Sequence, residues 1–375
     1  MPFCRNSARD PLWLLCPRLL CPRLLCLGRL CLGLLGLWLC VAVAEAGETG
    51  DAAKPSPPAA GMSIVFVGDI MLDGGPGHAV SSGRDPFAAC SQLLADADYS
   101  VGNLECVLGR GGERMLKPFS FRAAADSPRF LKKHFSAVSL ANNHSGDFGP
   151  AGLVEQLRIL DEAGIPSFGA GRTLSDARRP LVLERGGFKV AVLGYNGFRS
   201  LTTAATADRA GSAPLEEEQV LEDIRAARTR ADAVVPFVHW GPENTPQPRP
   251  AQVRLARKMV DAGAAAVIGG HPHVTQTVEV IRGVPIVYSL GNFVFDYFPG
   301  DPPEWTGWVT KLTFRPGQPV DLEMNSVTLD GSGIPHPVLE EDLLPNAYGS
   351  MPTAATALST GQATPDASGP SVPGK

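Results

Sequence analysis

The sequence predicts an α/β protein whose sheets are layered and flanked by helices, and three observations predict it. Five apolar runs read as buried strands that each end in polar side chains, segments of helical spacing lie between them, and the pattern turns strand-rich from Thr275 to Val327.

Taken in order, SIVFVGD (63–69) is an apolar run that ends in a glycine and an acid, as a buried strand delivering a carboxylate does. The segment 86–97 opens on proline and places Phe87, Leu93, Leu94 and Ala97 at helical spacing. A second strand, Tyr99–Leu104, runs into Glu105. FSAVSLANNHSGDFG (135–149) repeats the design of apolar strand and polar loop, and Pro150–Ala163 follows as a helix with Leu153, Leu157 and Leu160 on one face and Gly164 as its stop. Ile165–Phe168 reads as a strand, and Leu181–Glu184 and Phe188–Tyr195 as a hairpin across Arg-Gly-Gly. Residues 199–213, rich in Ala, Thr and Gly, predict a mobile loop. Leu215–Arg230 carries acids early and arginines late, which suits a helix dipole. ADAVVPFVHWG (231–241) is the fourth strand-to-loop delivery, Pro250–Ala262 the helix after it, and AAAVIGGHPH the fifth delivery. The closing strands are TQTVEVI, VPIVYSLGNFVF, WVTKLTF and VDLEMNSVTL, with turns at Arg282-Gly283 and Pro316-Gly317.

The five deliveries end in Asp69, with Asp73 near it; Asn103 and Glu105; Asn142, Asn143 and His144; His239; and His271 with His273. Ligands of open α/β sheets bind outside the carboxyl ends of the strands, so these groups are expected to converge on one cleft. Imidazoles beside carboxylate and amide oxygens suit a divalent cation, Mn, Zn or Fe, as one ion or two. His271 and His273 stand at i and i+2 around Pro272, and in an extended segment their side chains share a face. Trp240 stacks on substrate or belongs to the core. Tyr288–Asp296 reads as a mostly apolar strand in which Gly291 and Asn292 suggest a turn near the site, with Asn292 a donor toward the ligand. Asp85, Lys117 and Arg122 meet an anionic substrate or form a solvated face. His78, His134 and His336 match no motif.

The chain has 375 residues and 44% hydrophobic content, enough for a sizeable core and unlike a disordered protein. Residues 1–46 stand apart. Cys16-Pro-Arg-Leu-Leu and its neighbours recur every five residues, arginines precede an apolar run from Leu30 to Ala44, and Ala42, Ala44 and Ala46 offer cleavage positions. We read an export signal or membrane anchor, placing the protein in the periplasm, outside the cell or on the membrane. A second reading starts a cytoplasmic protein at Met62, downstream of a region that is not translated. The leader holds five arginines against Asp10 and Glu45, so without it the formal charge moves from −5 to −8. An acidic body argues against nucleic acid as a partner. Six of the eight cysteines lie in the leader, and Cys90 and Cys106 form either one bridge or two buried thiols. Residues 47–61 read as a Pro/Ala/Gly linker, 62–329 as the folded domain, and 330–375 as an extension with too little apolar content to fold after about residue 345.

VGDIML, NLE, LANNHSGDFG, VHWGPE, GGHPH and YSLGNFVFD, in this order between Met62 and Val327, resemble the CapA family of capsule and poly-γ-glutamate synthesis, which is itself similar to calcineurin-like metallophosphoesterases. The resemblance implies a four-layer α/β/β/α sandwich. It implies Asp69, Glu105, Asn143, His239, His271 and His273 as metal ligands, with Glu105 bridging or serving a second ion. His144 matches the histidine beside the metal-binding asparagine and is read as the catalytic residue. From the residues themselves, Asp147 three positions on orients it, Glu243 supports the ligands or binds an amine of substrate, and Asn103, Trp240 and Asn292 are read as substrate-facing. Two positions depart from the metallophosphoesterase pattern. Met71 stands where a histidine would follow the first aspartate, and Gly102-Asn103-Leu104-Glu105 replaces a bridging aspartate. The implied activity is hydrolysis of a phosphoester or a γ-glutamyl amide by metal-activated water, in the setting of a membrane-bound polymer synthesis complex. The alternative is an accessory subunit that uses the metal to hold an anionic polymer at the cell surface without turnover.

Overall fold

β1 (Met62–Ile70) is the strand on which the rest is registered, and its alternation explains why two layers of core form. Met62, Ile64 and Phe66 point into one apolar cluster while Val65 and Val67 point into another. The computed structural model describes residues 61–198, 203–296 and 305–338. The expected leader, nearly all of the linker and the tail after residue 338 lie outside the described residues.

After β1 come α1 (Gly74–Ser81), a 3₁₀ turn (Ala88–Cys90), α2 (Ser91–Ala95), β2 (Tyr99–Leu104), α3 (Ser127–His134), β3 (Ala137–Ser139), α4 (Gly149–Glu162), β4 (Ser167–Phe168), β5 (Ala170–Gly171) and α5 (Leu174–Ala177). Next are β6 (Leu181–Arg185), β7 (Phe188–Asn196), β8 (Gly211–Ser212), α6 (Glu217–Arg228), β9 (Ala233–His239), α7 (Pro250–Asp261) and β10 (Val267–Gly270). The chain closes with β11 (Val278–Ile281), β12 (Val284–Val287), β13 (Asn292–Val294), β14 (Thr306–Phe314), β15 (Asp321–Leu329) and β16 (Pro335–Pro337).

One sheet has the order β16-β15-β14-β1-β2-β3-β4, with β13 also beside β1, and the other β11-β12-β10-β9-β7-β6. Between them lies the cluster of Met62, Ile64, Phe66, Val101, Val190, Val235, Phe237 and Ile268, in which the Phe66 and Phe237 rings meet edge to face at 6.0 Å. On its outer side the first sheet packs on helical residues such as Val80, Leu131, Leu153 and Leu160. The second packs on Val220 and Ile224 of α6 and Ala256 and Met259 of α7. Helices, sheet, sheet, helices: the four layers implied by the resemblance are present.

Several expectations change. The helix expected over 86–97 breaks into a 3₁₀ turn and the five residues of α2. α1 forms although it contains Gly74, Gly75, Pro76 and Gly77, because the Asp73 side chain caps it and Ala79 and Val80 are buried. The described part of the expected mobile loop, 203–213, is built into the fold: β8 pairs β5, and Thr203, Ala205, Ala210 and Ala213 are buried. VPIVYSLGNFVF is two strands, β12 in the second sheet and β13 in the first, so Tyr288–Gly291 crosses between sheets and turns at Gly291 with φ of +69°. Past residue 329, β16 adds an edge strand to β15. Cys90 and Cys106 are separate buried thiols, not a bridge. No helix among the described residues is long and apolar enough to cross a membrane.

The crossing segment sets up the site. Gly68 lies at a shift in the β1–β2 register, and a Cβ there would sit 1.9 Å from the Gly291 carbonyl oxygen. Only hydrogen fits that gap, and the next residue is Asp69. Gly68→Ala is expected to destabilise the protein by at least the 1–3 kcal/mol typical of overpacking and to weaken divalent-metal binding. Denaturant midpoints and metal titration of the same variant would check both, and an unperturbed metal affinity would show that Asp69 does not depend on this contact.

Candidate metal centre

The carboxyl ends of β1, β2, β9 and β10 and the loop after β3 meet on one buried cluster. Asp69 Oδ1 accepts a hydrogen bond from Asn103 Nδ2 at 2.8 Å and Oδ2 one from the His271 backbone N–H at 3.1 Å, and His273 Nδ1 lies 3.4 Å from the same Oδ2. Strand register brings some of this about directly: Asp69 pairs with Asn103 across β1–β2, and Gly270 with His239 across β10–β9. His239 Nε2 is 2.7 Å from Asn143 Oδ1, 3.1 Å from Glu105 Oε1 and 3.1 Å from His271 Nδ1.

That crowding tests whether a metal fits. With Glu105 ionised, one proton on His239 Nε2 cannot serve both the Glu105 and the Asn143 oxygen, whereas a cation can be held by all of them. Glu105 is fully buried and neither of its oxygens receives a hydrogen bond, an arrangement costly without a countercharge. Three overlapping sets among the described residues, Glu105 with His239 and His271, Asp69 with Glu105 and His273, and the exposed Glu243 with His271 and His273, have ligand atoms within 4.8 Å of one another. Glu105, His271 and His273 each belong to two of them.

Electrostatics agree with the donor set. Burial, then the charge of Glu105, pushes Asp69 up to about 8. Burial pushes Glu105 up to about 8 against the lowering pull of His144 and Lys117. Burial also lowers His239 to about 4 and His273 to about 3, and holds His271 well below the usual histidine range. The imidazoles are thus in their ligand form at neutral pH, whereas the carboxylates require a nearby positive charge to ionise.

His144 lies beside this cluster, its Nδ1 2.8 Å from Asp147 Oδ2. Asp147 is fully buried and also accepts from the Phe121 backbone N–H at 2.7 Å. The Phe121 ring lies 4.4 Å from the imidazole, centroid to centroid.

Four expectations need correction. Trp240 does not face the cluster: its indole N–H donates to the Tyr288 carbonyl at 2.9 Å, and its ring belongs to the core between the second sheet and its helices. Asn103 is buried, with its amide group engaged by Asp69 and His239 and its oxygen by Asn142, so it orients those side chains rather than facing substrate. Asn292 is likewise buried, 2.9 Å from His273 Nδ1 and donating to the His273 carbonyl, and holds that histidine. His271 and His273 are not i, i+2 neighbours on a strand. β10 ends at Gly270 and both histidines have positive φ, 93° and 58°, so a strained turn aims them. Glu243 is exposed, 4.0 Å from His271 Nε2, and remains open to a ligand. Met71 is core, and Asp73 caps α1 and accepts from the Arg122 N–H.

Lys117, read from sequence as meeting an anionic substrate or forming a solvated face, instead braces the residue beside His144. Phe295, read only as part of an apolar strand, lies against His273, and Phe121 and Phe198 are not singled out by the sequence. Lys117 Nζ forms an ion pair with Asp147 and donates to the Asn143 carbonyl at 3.0 Å. Phe198 and Phe295 lie 4.0 Å and 4.8 Å from the rings of His271 and His273.

The family described as bacterial capsule synthesis protein PGA_cap matches residues 63–297. The chain is 34% identical over 245 residues to the PGA biosynthesis protein CapA of Bacillus subtilis, covering 63% of this chain and 63% of that protein. It is 33% identical over 246 residues to the capsule biosynthesis protein CapA of Bacillus anthracis, covering 63% and 60%. A probable polyglutamine synthesis accessory protein of Mycobacterium tuberculosis is 31% identical over 229 residues, covering 57% and 60%. The chain therefore spans less than two thirds of the length of these relatives. Among solved structures, a phosphatase from Mycoplasma pneumoniae is similar with a TM-score of 0.41 at 12% identity, covering 74% of this chain and 91% of that one. The Haemophilus influenzae NAD nucleotidase follows at 0.40 and 12%, covering 76% and 55%.

Between pH 6.5 and about 8 the metal-free folded chain keeps protons on Asp69 and Glu105 that the unfolded chain has already shed, so its stability is expected to fall as pH rises. Below 6.5 the histidines act in the opposite sense, since the unfolded chain takes up protons that the buried imidazoles refuse. Bound Mn or Zn displaces the carboxylate protons, so the metal-induced rise in melting temperature should grow from pH 6.5 to 8, and Glu105→Gln should flatten that growth. A rise that is constant or shrinks with pH would contradict the protonation described.

Proposed function

The chain belongs to the bacterial capsule synthesis protein family, and we propose that it is a metal-dependent hydrolase of capsular or poly-γ-glutamate metabolism. The observation that carries this reading is His144. A purely structural histidine would satisfy both nitrogens internally, whereas here Asp147 takes Nδ1 and Phe121 covers one ring face, which fixes the imidazole and leaves Nε2 to serve a reacting group. A divalent cation held by Asp69, Glu105, Asn143, His239, His271 and His273 would supply activation of water and neutralise charge developing on the scissile group. The residues of the chain do the rest. Asn103 and Asn292 hold Asp69, His239 and His273 in place, Phe198 and Phe295 keep water from the histidine rings, and His144 Nε2 moves a proton to or from the leaving group. The substrate is a phosphoester or the γ-glutamyl amide of the polymer, met outside the cytoplasm after export, beside a membrane-bound synthesis complex.

A second reading, an accessory subunit that holds the polymer without cutting it, is favoured by Met71. Its side chain is buried in the core, so that position adds no ligand to the cluster.

The full chain loaded with Mn or Zn, assayed on a generic phosphodiester, a monoester and poly-γ-glutamate, separates the two. Hydrolysis that His144→Ala lowers by about 10²-fold or more, as loss of a general acid–base residue does, with metal content unchanged, is the expected result. Polymer binding with no turnover in the metal-loaded protein would overturn hydrolysis in favour of the accessory role.

A further inference from the structure

Residues 109–122, GRGGERMLKPFSFR, carry four basic side chains against the single acid Glu113, in a chain of net charge −5. None of them lies in a helix, and the strand-like contact at the end of the segment is the lone bridge between Val107 and Arg122. That bridge, with the Val107 N–H donating to the Phe121 carbonyl at 3.0 Å, closes the base of a loop. Arg122 is used as the clasp: its guanidinium donates to the Gly109 and Gly111 carbonyls and lies 3.5 Å over the Phe148 ring. Gly112, at φ of +77°, lets the loop touch the start of α4, where a Cβ would be 2.0 Å from the Phe148 carbonyl oxygen.

The loop is tied to the candidate centre by three contacts to Asp147 and by the bond from Lys117 to the Asn143 carbonyl. The Met115 N–H donates to its carbonyl at 2.8 Å, the Phe121 N–H to its carboxylate, and Lys117 pairs with the same carboxylate. The backbone is thus held against the residue that orients His144, while Arg110 and Arg114 are exposed and make no ion pair among the described residues. Arg114 directly precedes the Met115 anchor and Arg110 lies four residues earlier, so both cations stand within a short chain length of the centre. Unpaired arginines on a fixed loop add nothing to stability and are free to pair with an anion, Arg114 beside the Met115 anchor and Arg110 beside Gly111, whose N–H donates to Glu155 of α4.

We propose that the 109–122 loop is a polyanion track: Arg110 and Arg114 take successive anionic groups of an extended polymer and lead it to Lys117 and the metal centre. This rests on reading the centre as the place where polymer is held or cut, but it is tested by binding alone, so a chain without hydrolytic activity still decides it.

The test uses the full metal-loaded chain and fluorescent poly-γ-glutamate, with neutral dextran as control, in anisotropy titrations at stepped NaCl concentrations. Arg110→Glu/Arg114→Glu is compared with Arg230→Glu/Arg254→Glu, which makes the same change of charge at exposed positions near α6 and on α7. The expected result is a ten-fold or greater rise in Kd and a shallower salt dependence for the loop pair, less than about two-fold for the helix pair, and no dextran binding. Equal weakening by both pairs, or by neither, overturns the proposal, as does dextran binding like the polyanion. Metal content and melting temperature of each variant identify a pair that fails by misfolding; the single variants Arg110→Gln and Arg114→Gln then replace it, each expected to weaken binding at least three-fold.

Discussion

Two fully buried carboxylates, Asp69 and Glu105, lie among imidazoles that burial keeps neutral, and this is the constraint to which the fold answers. A carboxylate in a dry interior must be protonated, hydrogen-bonded or paired with positive charge. Asp69 has donors in Asn103 and His271; Glu105 has none. A buried carboxylate without a donor costs stability, and a cation held beside Glu105 would supply the countercharge that the protein's own side chains do not.

Neutral amides do much of the positioning around that cluster. Asn103 links Asp69 to His239, Asn142 holds Asn103 and accepts from the His144 N–H, Asn196 fixes the Asn142 carbonyl, and Asn292 holds His273. An amide donates and accepts without adding charge, so the carboxylates and imidazoles are held in place without any change to the charge of the cluster. The backbone contributes too. Positive φ at His271 and His273 is unfavourable for residues with a Cβ, and the surrounding strand ends and the hydrogen bond from His271 N–H to Asp69 keep it in place.

The two sheets are joined where this matters most. Tyr288–Gly291 passes from one to the other, and Gly68 lets β1 approach Gly291 closely. Asp69 comes from the first sheet and His239 and His271 from the second, so any slip between the sheets would separate the ligands. The interdigitated layer around Phe66 and Phe237 is what prevents that slip.

The sequence by itself determined the layering and the identity of the clustered side chains, since continuous apolar runs ending near Asp69, Glu105, Asn143, His239 and His271 can be read from local order. It also showed the turn at Gly291, because glycine there has a backbone reason. Only tertiary structure decided that Trp240 belongs to the core and that Asn103 and Asn292 serve their neighbours, because an aromatic ring or amide looks the same in sequence whichever side of the strand end it occupies. The same holds for α1, whose glycines conceal a helix formed through a cap and burial. Lys117 shows the limit best: it sits in a stretch without periodicity, and its place beside His144 follows from loop contacts to Asp147 thirty residues along the chain, which no local pattern encodes.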